Sequence, residues 1–204
     1  MSEEYQGVRF STAFLSHDPP HHALLPELRR WCRVFHEHGL APPYPGGSSG
    51  NLSFRAGDGF IITGTAIGLK ENLADDAFVE VVACDLAAGR VEVRGCRQPS
   101  SEAMLHGLLY RHFPTVGAVF HGHHEVITGQ AEALGIPLSP SPLPYGSKEL
   151  AEAALALAAT GDFFVLRDHG FVAVGENMAK TGALCLAWLK KTAVESTIAF
   201  AAPQ

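Results

Sequence analysis

Hydrophobic and polar residues alternate along several stretches of the chain, and this period of two predicts β-strands. Residues 51–56 and 59–65 flank the turn "GDG", and residues 78–86 and 90–95 flank "AAGR". Because short turns of this kind join neighbouring antiparallel strands, each pair predicts a β-hairpin.

In other stretches, apolar residues recur three or four positions apart, which predicts helices. One helix is expected over about 24–38, closed by Gly39, and another over 100–113, stopped by Pro114. Further helices are predicted over 125–135, 148–159 and 176–201.

The remaining strands are more apolar. Residues 116–120 are apolar on both faces, which predicts a central position in a sheet, and residues 163–175 predict a pair of strands. An irregular arm over 1–22 contains a short strand at 7–12. Because strands outnumber crossover helices and often come as hairpins, we predict one α/β domain over 1–204 with a mixed, largely antiparallel sheet.

Composition excludes several classes of protein. Of the 204 residues, 47% are hydrophobic and 18% are charged, which is typical of a globular chain. A net charge of −6 argues against a nucleic-acid partner, which would require clustered Lys and Arg. No apolar run reaches membrane length and no signal peptide opens the sequence, so we expect a cytoplasmic protein without a membrane partner.

Three histidines end the apolar strand that begins at residue 116. Residues two apart on a strand point to one face, so His121 and His123 share a side and His124 faces away. Two imidazole nitrogens placed in this way can bind one zinc ion. His169 ends another strand and Glu102 opens a helix, so both are candidate further ligands. A polar strand end with solvated histidines would show the same pattern.

Three short elements are typical of anion sites. "GGSSGN" at 46–51 is a glycine-rich turn, "TGT" at 63–65 ends a strand, and "PSSE" at 99–102 opens a helix. Backbone N–H groups and the positive end of the helix dipole favour an anion there, and Ser100 and Ser101 add hydroxyl donors. Each element alone is equally typical of a simple turn or a helix N-cap.

Five motifs in order resemble the class II aldolase/adducin family, which includes L-fuculose-1-phosphate aldolase. They are "GNLS", "ITGT", "PSSEAMLHGLLYRHFP", "VGAVFHGH" and "DHGFVAVGE". The resemblance covers roughly residues 24–200. It implies a three-layer α/β/α fold around a mixed, mostly antiparallel sheet, and a homotetramer with sites between subunits.

The resemblance also implies roles for the residues named above. One Zn²⁺ per subunit, or another divalent ion, would be bound by His121, His123 and His169. Glu102 would be the catalytic acid/base and could also touch the metal. The positions that match the family's phosphate-binding residues are Asn51, Thr65, Ser100 and Ser101.

The implied function is a zinc-dependent lyase that cleaves a small phosphorylated sugar through a metal-stabilised enediolate. Glu at position 102, where epimerase members usually carry Asp, favours aldolase or dehydratase chemistry. The alternatives are a ketose-phosphate dehydratase of the methylthioribulose-1-phosphate type and a non-catalytic adducin-like module. The three histidines and Glu102 argue against the module, since a scaffold has no need of them.

Three departures from the family pattern leave the substrate and the proton donor open. Ala66 stands where glycine is expected, and its side chain would crowd a phosphate. The segment before "YGSKELA" is shorter than the corresponding segment of fuculose-phosphate aldolase. That enzyme uses the segment to supply a tyrosine to a neighbouring site, and this sequence contains no clear match to that tyrosine. Tyr145 aligns better with a structural "PYG" motif. In the aldolase, a C-terminal tail carries another active-site tyrosine, and the sequence up to Gln204 contains no match to that tail.

Overall fold

An eight-stranded sheet forms the centre of the computed structural model, which describes residues 7–201. The strands are β1 Ser11–Ser16, β2 Pro43–Tyr44, β3 Gly47–Ser48, β4 Asn51–Ala56, β5 Gly59–Thr63, β6 Phe78–Asp85, β7 Arg90–Arg94, β8 Ala118–Gly122, β9 Phe163–Leu166 and β10 Gly170–Gly175. The helices are α1 Leu25–Glu37, α2 Ala103–His112, α3 Glu125–Gly129, α4 Lys148–Ala158 and α5 Met178–Ala201.

The strand order confirms the mixed, largely antiparallel sheet. Neighbouring strands run β1-β7-β6-β5-β4-β8-β10-β9, and β2 pairs with β3 separately. All pairs in the large sheet are antiparallel except β1 with β7. Both predicted hairpins form, as β4–β5 and β6–β7. Strand β8 lies between β4 and β10 and is buried along its whole length, as its apolar sequence predicts.

Helices cover both faces of the sheet and give the three-layer arrangement. Helices α1, α3 and α5 bury one face, and α2 and α4 bury the other. The alternation of β8 is visible in this division, because Phe120 belongs to the first core and Val119 to the second. Within residues 7–201, no helix has the length and apolar character needed to span a membrane.

Some predicted boundaries are wrong. The N-terminal strand lies at 11–16 and not at 7–12, because its partner β7 pairs Ser11 with Arg90 in parallel register. Of the predicted arm, residues 1–6 lie outside the described range. The predicted helix 125–135 ends at Gly129 and continues as turns, since glycine is a weak helix former.

Candidate active site

Neighbouring strand ends and one helix start meet at the candidate site. Strand β8 ends in His121-Gly122, β4 begins with Asn51, and the turn between β9 and β10 carries His169. In the pairing of β4 with β8, Asn51 lies opposite His121. Glu102 comes immediately before α2. The fold therefore brings together groups that are up to about 120 positions apart in the sequence.

Two glycines allow the histidine-bearing segments to approach each other. A Cβ atom on Gly122 would lie 2.4 Å from the ring of Phe171 and 2.9 Å from the carbonyl oxygen of Leu40. A Cβ atom on Gly170 would lie 2.5 Å from the Gly122 carbonyl oxygen and 2.7 Å from the His121 ring. Since these distances are too short for carbon, both positions require glycine for packing.

The histidine rings form a compact group. Within the described part of the chain, one group of three side chains could hold a metal ion, namely His121, His123 and His169. Their ligand atoms lie within 4.8 Å of one another. The Nε2 atoms of His121 and His123 are 2.9 Å apart. A tetrahedral ion with bonds of about 2.0–2.1 Å separates its ligand atoms by roughly 3.3 Å, so the spacing suits zinc. His124 lies outside the group, as strand alternation predicts.

A backbone hydrogen bond fixes the tautomer of His121. Its Nδ1–H donates to the carbonyl oxygen of Phe171 over 2.8 Å, because a carbonyl can only accept. Burial lowers the pKa of His121 to about 4 and the pKa of His123 well below its usual range. Both rings are therefore neutral at neutral pH, and the Nε2 atom of His121 presents a lone pair, which is the form that binds a metal.

The Glu102 carboxylate is buried against these rings. Its Oε1 accepts from Nε2 of His169 over 2.6 Å, and its Oε2 accepts from the Asn51 amide over 2.7 Å. Nε2 of His121 lies 3.1 Å from Oε2. Burial alone would raise the pKa of this carboxyl, but electrostatic interactions with His121 and His169 and hydrogen bonds from His169 and Asn51 lower it well below its ordinary value. An ionised carboxylate thus adjoins the metal-capable nitrogens, and the combined donor set fits zinc.

Four residues after Glu102, His106 belongs to a separate buried network. Its Nδ1 lies 2.7 Å from the Ser53 hydroxyl, which is also 2.8 Å from the Tyr110 hydroxyl. Burial lowers the pKa of His106 to about 3, so the ring is neutral. His106 anchors α2 to β4 and is not one of the grouped ligands.

A cleft of about 960 Å³ opens onto the histidines. Glu102, His123 and His169 lie on its wall, while His121 is completely buried beside them. The cleft wall also contains the four residues expected to bind an anion, namely Asn51, Thr65, Ser100 and Ser101.

Hydrogen bonds within the chain already use part of the predicted anion site. The N–H of Ser100 donates to the carbonyl oxygen of Thr63 over 3.1 Å, and the N–H of Thr65 donates to that of Gln98 over 3.0 Å. The Ser100 hydroxyl accepts from the N–H of Glu102 over 3.3 Å. These bonds fold 100–102 into a turn, so α2 begins at Ala103 and not at Ser100.

Ala66 has a left-handed backbone conformation on the cleft wall. Its φ is +54°, a value that favours glycine because a Cβ atom is crowded there. The side chain is exposed, so the methyl group faces solvent and the cleft.

Ala66→Gly is expected to raise the free energy of unfolding by roughly 0.5–1 kcal/mol, because relief of strain exceeds the added entropy of the unfolded chain. Urea denaturation measures the change. The matched control is Ala88→Gly in the exposed β6–β7 turn, where φ is not positive and the same substitution should destabilise by a similar amount. Equal destabilisation by both substitutions would contradict strain at Ala66.

The sequence pattern does not predict every residue of the cleft. Lys70, Arg167 and Asp168 also line it, although the local sequence of each is that of a solvated loop. Tyr145, which the sequence suggests is structural, is buried and lines the cleft too, with the Arg9 guanidinium 4.6 Å from its ring centroid. No local periodicity marks these positions, because loop packing alone places them.

Known proteins are similar to this chain in both sequence and fold. Residues 26–189 match the profile of the family described as Class II Aldolase and Adducin N-terminal domain. A methylthioribulose-1-phosphate dehydratase of Sorangium cellulosum is 39% identical over 106 residues, which are 52% of this chain and 45% of that enzyme. A 5-methylthioribulose-1-phosphate/5-deoxyribulose-1-phosphate aldolase of Rhodospirillum rubrum is 32% identical over 148 residues, 65% of this chain and 63% of that enzyme.

Structural similarity extends further than these alignments. The crystal structure of L-fuculose-1-phosphate aldolase from Thermus thermophilus superposes with a TM-score of 0.70 at 20% identity, covering 88% of this chain and 98% of that one. At this identity the likeness shows the fold. The chain spans only 20% to 63% of the length of the first curated relatives it matches.

Proposed function

The chain belongs to the class II aldolase and adducin family, and from this premise we propose that it is a zinc-dependent lyase cleaving a small phosphorylated sugar. One observation carries the proposal: three histidine nitrogens and the ionised Glu102 carboxylate converge at the wall of one cleft. Such a set has the ligands and the proton carrier that retro-aldol cleavage of a ketose requires.

His121, His123 and His169 would hold the zinc ion, and Glu102 lies close enough to join them. When bound, zinc supplies Lewis acidity to the carbonyl and adjacent hydroxyl oxygens of a ketose. The Phe171 carbonyl keeps the His121 ring in one orientation, so the ligand nitrogen is positioned before any ion arrives.

Glu102 would move the proton. Retro-aldol cleavage breaks one carbon–carbon bond, removes the proton of the hydroxyl on one side of it, and places a proton on the carbon next to the carbonyl. The Asn51 amide donates to one oxygen of Glu102, so the carboxylate is oriented before substrate binds, and its lowered pKa keeps it ionised.

The substrate phosphate would lie against the cleft wall beside Glu102. Thr65, Ser100 and Ser101 line it, and the two serines stand at the N-terminus of α2 where the helix dipole favours an anion. The names of the two relatives above, both of which act on phosphorylated ribulose derivatives, support this part of the proposal.

A dehydratase acting on a ketose phosphate is the second candidate, because the dehydratase of Sorangium cellulosum shares 39% identity with this chain. The same residues would serve, since loss of water also begins with proton transfer beside a carbonyl. The non-catalytic module is disfavoured, because a scaffold has no use for buried neutral histidines around a carboxylate.

Assembly and location belong to the same proposal. We propose a homotetramer, as the family resemblance implies, and we propose that it is located in the cytoplasm. Val194 on α5 leaves 50% of its surface exposed, which is consistent with a contact surface on that helix.

A panel of ketose phosphates tests the proposal. The zinc-loaded protein is incubated with 5-deoxyribulose-1-phosphate, 5-methylthioribulose-1-phosphate and fuculose-1-phosphate, and the products are identified by mass spectrometry and NMR. Dihydroxyacetone phosphate with an aldehyde would support the lyase. A product lighter by one water would favour the dehydratase instead. Absence of turnover together with absence of zinc uptake would leave only the module.

A further inference from the structure

Lys70 is a buried cation on the wall of the cleft. Its side chain is among the largest that are fully buried, with 1% of the residue surface exposed. The ammonium group donates to the Ser48 carbonyl over 3.1 Å, to the Ser48 hydroxyl over 3.0 Å and to the Ser49 carbonyl over 3.1 Å. All three N–H groups therefore bind one turn, which leads directly into Asn51.

No carboxylate compensates this charge within residues 7–201, where Lys70 forms no salt bridge and its three acceptors are neutral. Its titratable neighbours are the Cys32 thiol of α1, whose pKa burial raises to about 12, and the rings of His121 and His123, whose pKa values burial and the Lys70 charge lower, so all three are neutral. Burial lowers the pKa of Lys70 to about 8, with Cys32 opposing the shift, so the ammonium form prevails at neutral pH. A buried cation without a counter-charge is costly, and an anion in the cleft would reduce the cost.

The lysine also orients the turn. Because a trans peptide directs its C=O and its N–H to opposite sides, binding of the Ser49 carbonyl turns the Gly50 N–H away from Lys70. Gly50 lines the cleft, and its N–H has no hydrogen-bond partner among the described residues. Its φ is +77°, and a Cβ atom added there would lie 2.6 Å from the His121 carbonyl oxygen, so glycine is necessary at this position.

We propose that Lys70 is a positioning residue for the anionic group of the substrate: it holds the 48–50 turn in shape and supplies the charge that the anion neutralises. The inference rests on the proposed function, since it assigns a role at the same cleft. It predicts a preference for dianions such as phosphate or sulfate over a carboxylate, because the attraction grows with the ligand's charge.

Lys70→Met tests the inference, because methionine has similar length and no charge. Sulfate and inorganic phosphate are titrated calorimetrically into the zinc-loaded protein. We expect affinity to fall at least about tenfold, with the KM for a phosphorylated substrate rising and kcat and zinc content nearly unchanged. Lys180→Met, on the exposed surface of α5, is the matched control and should bind sulfate like the wild type.

Lys70→Gln separates charge from hydrogen bonding, since the glutamine amide keeps two N–H donors but has no charge. Because the proposed role depends on the charge, this variant should lose sulfate affinity as well. Where neither variant folds, the wild type still decides. Sulfate carries two negative charges and acetate carries one, so the affinities of the two ligands can be compared at neutral pH. The zinc-loaded wild type should bind sulfate more tightly than acetate, because the attraction of the buried ammonium group grows with the charge of the ligand.

Two results overturn the role of Lys70 alone: wild-type sulfate affinity in both variants, or acetate binding as tight as sulfate binding in the wild type. If the wild type binds neither sulfate nor phosphate, the proposed role of Lys70 and the proposal of a phosphorylated substrate both fail. Sulfate binding that weakens in Lys70→Met and Lys70→Gln but not in Lys180→Met would support the inference.

Discussion

His121→Ala is expected to remove most of the bound zinc and, with it, all measurable turnover. The substitution deletes the central nitrogen of the group, which lies 2.9 Å from Nε2 of His123 and 3.1 Å from the Glu102 carboxylate. Two ligand histidines would remain, and loss of one ligand from a zinc site of this kind weakens binding strongly. Zinc per subunit, measured by mass spectrometry after dialysis against a fixed free-zinc buffer, reports the result.

His124→Ala is the matched control, because this neighbour lies outside the ligand group. It should keep the wild-type zinc content. His121 is completely buried, so its replacement can also disturb the fold; circular dichroism and His169→Ala, at a partly exposed ligand, separate the two effects. Unchanged zinc stoichiometry in folded His121→Ala and His169→Ala would refute the assignment.

The histidine group illustrates how far a local pattern predicts a site. Side chains two apart on a strand share a face, so the common side of His121 and His123 follows from strand geometry alone. The arrival of His169 beside them requires β10 to pair with β8, with Val172 opposite His121. That pairing is a long-range property, and the family resemblance supplies it where periodicity does not.

Element ends are less predictable, because local hydrogen bonds decide them. Serines before an apolar run can belong to the first turn of a helix or cap it, and the two alternatives have the same sequence. Here the N–H of Ser100 binds the Thr63 carbonyl, so the helix starts at Ala103. Neighbouring strands, and not the helix sequence, set that boundary.

Lys70 shows what the pattern cannot predict. A lysine in "GLKEN" has the sequence of an exposed loop, and charged residues are rarely buried without a partner. Its side chain is buried against the Ser48–Ser49 turn, where carbonyl and hydroxyl oxygens satisfy all three donors. Such a position becomes visible only when the loops are placed in three dimensions.

Glu102→Gln is expected to lower turnover by about 10²–10⁴-fold while zinc binding and the fold persist, because an amide keeps the shape of the side chain but cannot carry the proton. Asn51 can accommodate the change. Its Oδ1 is buried without a hydrogen-bond partner among the described residues, so rotation of the Asn51 amide would let that oxygen accept from the new NH₂ group.

Proton transfer can be measured apart from bond cleavage. With dihydroxyacetone phosphate alone in D₂O, the zinc-loaded wild type should exchange a proton on the carbon next to the carbonyl, which NMR follows directly. Glu102→Gln should lose this exchange with the same fold-change as turnover, since both require the carboxylate as base. The matched control is Glu149→Gln on the exposed first turn of α4, which should exchange like the wild type. Exchange at the wild-type rate in Glu102→Gln with full zinc content would assign the proton transfer to another group of the cleft.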